Sequence, residues 1–192
     1  MINHSTIFIL CGGFGTRLRS EIGDTAKSLS NIENKVFLDI QMDWLCEAGF
    51  KNFVFLTGFK SSSIKDHLYQ TYNNSKIQIR VVNEKIPLGT GGAVKNALNK
   101  LKFSSDFFVV NGDTIAEIKF DKFSEFCNLN STHSIYCLFK KNAGEYGSIE
   151  FDKDSNIIKF NEKQNLEKNI WVNSGLYFFP KEHNKYFEKF PN

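Results

Sequence analysis

The chain has 192 residues and a formal net charge of +3, with 41% hydrophobic and 15% aromatic residues. This composition excludes general disorder, and the length allows a packed α/β core. The modest charge gives no indication of a nucleic-acid partner. No apolar run approaches the ~18 residues of a membrane helix, and the cysteines follow neither zinc-site nor disulfide spacing. We therefore expect a cytoplasmic protein with reduced cysteines and no membrane partner.

The first 115 residues alternate short apolar runs with helical patterns. Strands are predicted at 7–11, 53–57, 77–82 and 107–111, and helices at 37–48, 61–72 and 93–101. The first of these helices is predicted to bury the apolar residues that recur at helical spacing, namely Phe37, Ile40, Trp44, Leu45 and Ala48. This alternation predicts a mostly parallel sheet covered by helices on both faces. Ligands of such sheets bind beyond the carboxyl ends of the strands.

From residue 116 onward the pattern changes. A helix predicted at 120–129 is followed by strand-like runs at 134–139, 148–151, 157–160 and 172–179, with little helix between them. No linker rich in proline or serine separates the two parts. We therefore predict one α/β domain over 1–192, in which 116–192 extends the parallel sheet of 1–115 with mixed strand directions.

A glycine-rich turn follows the first strand, in Leu10-Cys11-Gly12-Gly13-Phe14-Gly15-Thr16-Arg17-Leu18. Glycines let backbone N–H groups approach an anion, and a helix that starts beyond the turn adds its positive dipole end. Arg17 and, ten positions on, Lys27 add charges suited to phosphate oxygens. The segment therefore predicts a binding site for a polyphosphate.

Two commoner phosphate motifs fit this segment less well. The chain contains no Walker loop. The dinucleotide fingerprint requires a glycine where Leu18 stands, and Glu33, which has the spacing of its acidic residue, lies in a segment that reads as a loop. Binding of NAD stays open as an alternative.

Two further turns place polar groups after predicted strands. Pro87-Leu88-Gly89-Thr90-Gly91-Gly92-Ala93 is a second glycine-rich turn, preceded by Glu84, and its bare amides can contact a flat base edge. Asn111-Gly112-Asp113 ends an apolar strand with a carboxylate, which is a suitable ligand for Mg²⁺. Taken alone, both segments are also typical of turns without a ligand.

The second half carries three more polar segments beside its short strands, namely Glu145-Tyr146-Gly147-Ser148, Glu162-Lys163 and Val172-Asn173-Ser174-Gly175. A carboxylate such as Glu162 can accept bonds from two sugar hydroxyls, and a lysine beside it can hold a phosphate. Taken alone, the first two of these segments are more typical of a solvated surface than of a binding site, whereas the third fits a close-packed polar pocket wall.

In this order the motifs resemble those of the sugar-1-phosphate nucleotidylyltransferases, and they span nearly the whole chain. The resemblance implies a Rossmann-like nucleotidyltransferase fold and transfer of a nucleotidyl group from an NTP to a sugar 1-phosphate, with release of pyrophosphate. Within the family, the short length and the 87–93 turn are most similar to the D-glycero-α-D-manno-heptose 1-phosphate guanylyltransferases. That similarity favours GTP, a heptose substrate and a role in surface polysaccharide (capsule) biosynthesis.

The resemblance also implies a role for each motif residue. The nucleotide would be bound in the 1–115 half by Leu10, Gly12, Gly13, Gly15, Thr16, Arg17, Lys27, Glu84, Gly89 and Thr90. The sugar phosphate would be bound by Gly112, Tyr146, Gly147, Glu162, Lys163 and Asn173. Catalysis would depend on Arg17, Lys27 and Asp113, with Mg²⁺ at Asp113. No side-chain nucleophile is needed, because the attacking phosphate is already an anion.

Two features depart from the family pattern. Ala26-Lys27-Ser28 stands where the family has Pro-Lys-Pro, which leaves the lysine less preorganised. No second metal carboxylate is recognisable before Asn192, so we expect the sequence to stop short of it. Three alternatives stay open: another base or sugar (mannose 1-phosphate with GTP, or glucose 1-phosphate with a thymidylyl or uridylyl donor), a non-catalytic nucleotide-sugar sensor, and an NAD-dependent oxidoreductase. Homo-oligomer formation is also left open.

Overall fold

The structure, a computed structural model, describes residues 2–13, 23–73, 76–141, 147–161 and 169–190. Its centre is an eight-stranded sheet, accompanied by a separate two-stranded hairpin. In chain order the strands are β1 (Thr6–Cys11), β2 (Asn31–Ile32), β3 (Lys35–Val36), β4 (Asn52–Thr57), β5 (Gln78–Asn83), β6 (Phe107–Asn111), β7 (Ser134–Lys140), β8 (Ser148–Phe151), β9 (Ile157–Asn161) and β10 (Ile170–Phe179).

Four α-helices are described, namely α1 (Phe37–Glu47), α2 (Ser61–Tyr72), α3 (Gly89–Leu101) and α4 (Phe120–Asn130). Three 3₁₀ segments accompany them, at Ile2–His4, Lys27–Leu29 and Lys181–Lys189. Within the described ranges, no helix combines the length and the apolar character needed to cross a membrane.

The main sheet has the strand order β5-β4-β1-β6-β10-β8-β9, and β7 also pairs with β10. Its first four strands are parallel, whereas β10 runs antiparallel to β6. The chain leaves β1 towards β4 and β5 and then returns to place β6 on the other side of β1. The order of the strands therefore reverses between β1 and β6, which is the point where open α/β sheets bind their ligands.

Side chains alternate across the parallel strands and build a core on each face of the sheet. Ile7 and Ile9 of β1 pack in one buried cluster with residues of α1, α2 and α4. Phe8, between them, packs on the other face with α3 and with Phe187 of the last 3₁₀ segment. The predicted α/β class, with a mostly parallel sheet flanked by helices and a mixed extension, is confirmed.

Most predicted elements lie within one or two residues of the observed ones, but the start of α3 was predicted wrongly. The helix begins at Gly89 rather than at residue 93, so most of the second glycine-rich turn forms its first helical turn. Glycine has a low helix propensity, so a cluster of glycines predicts a turn. The free-energy cost of placing glycine in a helix is, however, smaller at the end of the helix than in its interior.

Two other expectations are corrected. The segment predicted as a loop around Glu33 is the β2–β3 hairpin, and Glu33 has a left-handed φ of 54° at its tip. The buried face of α1 consists of Leu38, Gln41, Met42 and Leu45. Of the residues predicted for that face, only Leu45 is fully buried, and the others are partly covered.

Candidate active site

A cavity of about 360 Å³ opens at the carboxyl ends of β1 and β6, where the strand order reverses. It is lined by Leu10, Cys11, Gly12, Gly13, Lys27, Ser28, Leu56, Glu84, Pro87, Gly89, Thr90, Ala93, Asn111, Gly112 and Asp113. The structure thus brings together, around one cavity, motif residues that are separated by as many as 103 positions in the chain, from Leu10 to Asp113.

Two glycine turns form the floor of the cavity. The Gly112 N–H donates a 3.1 Å hydrogen bond to the Leu10 carbonyl, so the ends of β1 and β6 are joined directly. A β-carbon on Gly112 would lie 2.5 Å from the Leu10 carbonyl oxygen and 2.8 Å from the Cys11 Sγ atom. Only glycine allows this approach. Gly13, by contrast, lines the cavity, and among the described residues other than its chain neighbours no heavy atom lies within 4 Å of its ideal β position.

An ion pair crosses the mouth of the cavity. Lys27 Nζ lies 2.6 Å from the Asp113 Oδ2 atom, and both side chains are roughly half exposed, at 39% and 45%. Lys27 opens a 3₁₀ turn between Ala26 and Ser28, which are both buried. Ala26 has a φ of −63°, the value that a proline would impose. The lysine predicted to bind phosphate therefore contacts the carboxylate predicted to bind the metal.

Glu84 closes another side of the cavity. Its N–H bonds the Thr57 carbonyl, and its carboxylate lies so close to Gly12 that a β-carbon there would be 2.7 Å from Oε1. Burial raises the pKa of the Glu84 carboxyl, and the Leu88 N–H, 3.4 Å from Oε2, offsets part of that rise. This carboxylate is placed to accept hydrogen bonds from a ligand in the cavity.

The first turn of α3 forms the opposite wall. Gly89 has a left-handed φ of 69° and is followed by Thr90, and both are exposed at the cavity. Leu88, which precedes the helix, makes no side-chain capping bond. The first N–H groups of this 13-residue helix therefore receive no cap from that residue, and they point, with the positive end of the helix dipole, towards the side from which an anion could bind.

Gly147 and Asn173 do not line this cavity. They lie opposite each other on neighbouring chain segments, since Ser148 of β8 pairs with Val172 of β10. The Asn173 amide donates to the Tyr177 hydroxyl at 2.7 Å, and its Oδ1 accepts the Gly175 N–H at 2.8 Å. Six further predicted site residues lie outside the described ranges, namely Gly15, Thr16, Arg17, Tyr146, Glu162 and Lys163.

The sequence prediction missed several residues of the site. Cys11 and Ser28 could have been found, since each adjoins a motif residue, whereas Leu56 reaches the cavity only through strand order. Burial raises the pKa of the Cys11 thiol to about 12, which keeps it protonated and unreactive. Among the described residues, no cluster of three or more His, Cys, Asp or Glu side chains is placed to hold a metal ion.

With this fold and this site, the chain belongs to the Nucleotidyl transferase family, which residues 7–190 match. A D-glycero-alpha-D-manno-heptose 1-phosphate guanylyltransferase of Campylobacter jejuni is 34% identical over 177 residues, covering 91% of this chain and 75% of that protein. The mannose-1-phosphate guanylyltransferase catalytic subunit beta of Drosophila melanogaster is 30% identical over 179 residues, but this chain spans only 48% of it.

Solved structures give the same result. HddC from Yersinia pseudotuberculosis matches with a TM-score of 0.85 at 34% identity, over 98% of this chain and 80% of HddC. A structure of HddC complexed with GMP-PN matches with a TM-score of 0.84. The resemblance drawn from the motifs is therefore confirmed. Family membership, together with the position of Glu33 in a hairpin, removes the basis of the NAD alternative.

Proposed function

We propose that the protein is a sugar-1-phosphate guanylyltransferase that uses GTP and D-glycero-α-D-manno-heptose 1-phosphate to form a GDP-heptose and pyrophosphate. The observation that carries the activity is the cavity at the strand reversal, because it joins a bare glycine turn, a lysine, a carboxylate and the N-terminus of α3. The choice of base and sugar is supported by the 34% and 32% identity to heptose 1-phosphate guanylyltransferases over most of each chain.

In this proposal the triphosphate lies along the Gly12–Gly13 turn and the first turn of α3. Lys27 turns from Asp113 towards the phosphates and reduces the repulsion between the two anionic substrates. Arg17, predicted from the sequence, adds a second positive charge. An oxygen of the sugar 1-phosphate attacks the α-phosphorus in line, the bond from that phosphorus to the bridging oxygen breaks, and pyrophosphate leaves. Charge neutralisation and alignment supply the catalysis, as in other phosphoryl-group transfers.

Asp113 is the residue that would hold Mg²⁺. Its carboxylate is half exposed at the cavity, and its Oδ1 accepts a bond from the Thr114 hydroxyl at 3.3 Å. Protein sites for Mg²⁺ commonly combine one or two carboxylates with substrate phosphates and water, so this donor set fits the ion. When bound, the ion neutralises phosphate charge.

The sugar phosphate would be bound at the β8–β10 edge, where Gly147 and Asn173 meet, with Tyr146, Glu162 and Lys163 from the adjoining segments. Gly112 would line the passage between the two substrates. The product would serve as an activated sugar donor for a surface polysaccharide such as a capsule, made in the cytoplasm.

The test is a screen for pyrophosphate release with four NTPs against a panel of sugar 1-phosphates that includes the manno-heptose, mannose and glucose compounds. We expect the highest kcat/KM for GTP with the heptose compound, and no turnover without a divalent ion. Asp113→Ala provides the inactive control. A preference for another pair would overturn the substrate assignment, and nucleotide binding without pyrophosphate release would favour the sensor alternative.

A further inference from the structure

Gln41 is a buried polar residue on an otherwise apolar helix face. It has no exposed surface and lies on α1 beside Leu38, Met42 and Leu45. Burying an amide is unfavourable unless it is hydrogen-bonded. Its Oε1 finds no hydrogen-bond partner within the described part of the chain. The hydrogen bonds that offset the burial of this amide must therefore come from its two N–H donors.

Both donors bond the turn that carries Asp113. Gln41 Nε2 lies 2.9 Å from the Asn111 carbonyl oxygen and 2.7 Å from the Thr114 carbonyl oxygen. Since carbonyls only accept, the NH₂ end of the amide must face them. The two carbonyls stand on either side of Gly112 and Asp113, so one side chain spans the whole turn.

Two further backbone bonds hold the turn, one to the neighbouring strand and one between its own ends. The Gly112 N–H bonds the Leu10 carbonyl, and the Thr114 N–H bonds the Asn111 carbonyl at 3.3 Å. The Thr114 carbonyl accepts its hydrogen bond from Gln41 Nε2. Without Gln41, the Thr114 carbonyl would lose its bond to α1, and the far end of the turn would be held by the weaker 3.3 Å bond to Asn111.

We propose that Gln41 is a positioning residue, which fixes the Asp113 carboxylate for the metal ion and thereby sets the metal dependence of nucleotide binding. This inference rests on the proposed function, in which Asp113 holds the ion. Groups that orient a metal-binding carboxylate typically change metal affinity or activity by about 10–100-fold when removed.

The experiment uses Gln41→Met, which preserves the length of the side chain and removes both donors. Calorimetry gives the Kd of GTP with Mg²⁺ and with EDTA, and the ratio of the two reports the contribution of the metal without turnover. We expect the Mg²⁺-dependent gain in GTP affinity to fall about 10-fold or more in Gln41→Met. The Kd in EDTA should stay within twofold of wild type, since Gln41 does not line the cavity.

Three controls make the result decisive. Asp113→Ala should abolish the Mg²⁺-dependent gain in GTP affinity. Ile64→Val, which removes one buried methylene of α2, should lower the melting temperature and leave that gain unchanged. Gln41→Asn, which keeps the amide on a shorter stem, should give a smaller loss and replaces Gln41→Met if that variant does not fold.

An unchanged gain in a folded Gln41 variant, with Asp113→Ala impaired, overturns the positioning role alone. An unchanged gain in Asp113→Ala overturns the metal role of Asp113 and the positioning role together. Absence of pyrophosphate release from a wild-type protein with normal metal-dependent binding would overturn the proposed function and leave the role of Gln41 supported.

Discussion

Replacing Gly112 with alanine tests the close approach of β1 and β6. The new β-carbon would lie 2.5 Å from the Leu10 carbonyl oxygen. Carbon–oxygen contacts are ordinarily about 3.3–3.6 Å, so the backbone must move by roughly 0.8 Å to accept the methyl group. The atom in the way belongs to the backbone of the central strand, and no side-chain rotation can relieve the contact.

The displacement acts on both stability and activity. It stretches the Gly112 N–H bond to Leu10 and overpacks the sheet, which costs about 1–3 kcal/mol of unfolding free energy. It also moves the adjoining Asp113. Misplacement of a reacting group by about 1 Å can reduce the rate about 10²-fold. We therefore expect kcat/KM to fall roughly 10–100-fold in a protein that remains folded.

Thermal melts and pyrophosphate-release assays on the purified variant measure the two effects separately. Val54→Ile is the matched control, since it adds one methylene to a fully buried site of β4, away from the cavity. It should lose stability by overpacking and keep its kcat/KM. A Gly112→Ala protein with wild-type melting temperature and kcat/KM would refute the tight contact and the reasoning built on it.

Three further predictions concern charged groups. Lys27→Met should lower kcat/KM about 10²–10³-fold with little change in melting temperature. A fall in kcat/KM that is accompanied by a large fall in melting temperature would contradict a role in charge neutralisation. Glu84→Gln should melt at a higher temperature than wild type at pH 7. The folded state binds the Glu84 proton more tightly than the unfolded chain, so the carboxylate lowers stability as pH rises through its raised pKa, and the difference should vanish below the ordinary carboxyl range. Lys95→Met removes a buried ammonium that donates to the carbonyls of Glu188 and Phe190, and should cost about 1–3 kcal/mol in denaturant titrations.

The sequence was sufficient to predict the parallel strands and the edge at which the candidate site lies. The apolar runs of these strands are short, and those of β1 and β6 are followed directly by Gly12 and Gly112, so the turns can be recognised from neighbouring residues alone. Lys27 and Asp113 could be named for the same reason, although their 2.6 Å contact could not be derived from either motif. That contact depends on a strand order which periodicity does not encode.

The features that could not be predicted depend on contacts between distant parts of the chain. Gln41 reads as a polar interruption of a helix until its partners, 70 and 73 positions away, are known. The start of α3 at Gly89 contradicts local propensity and is stabilised by packing of its next turns. The segment Lys181–Lys189 contains only two apolar residues, Tyr186 and Phe187, and Phe187 is the one that packs in the core.

The last described residues, up to Phe190, contact α3, the helix that forms one wall of the cavity. A β-carbon on Gly91 would meet the Phe190 ring at 2.5 Å, and one turn later Lys95 bonds the Phe190 carbonyl. Segments joined in this way open together when a native protein fluctuates. Amide hydrogens of residues 92–97 and of 183–190 should therefore exchange with solvent deuterium at correlated rates, and a nucleotide that protects one stretch should protect the other.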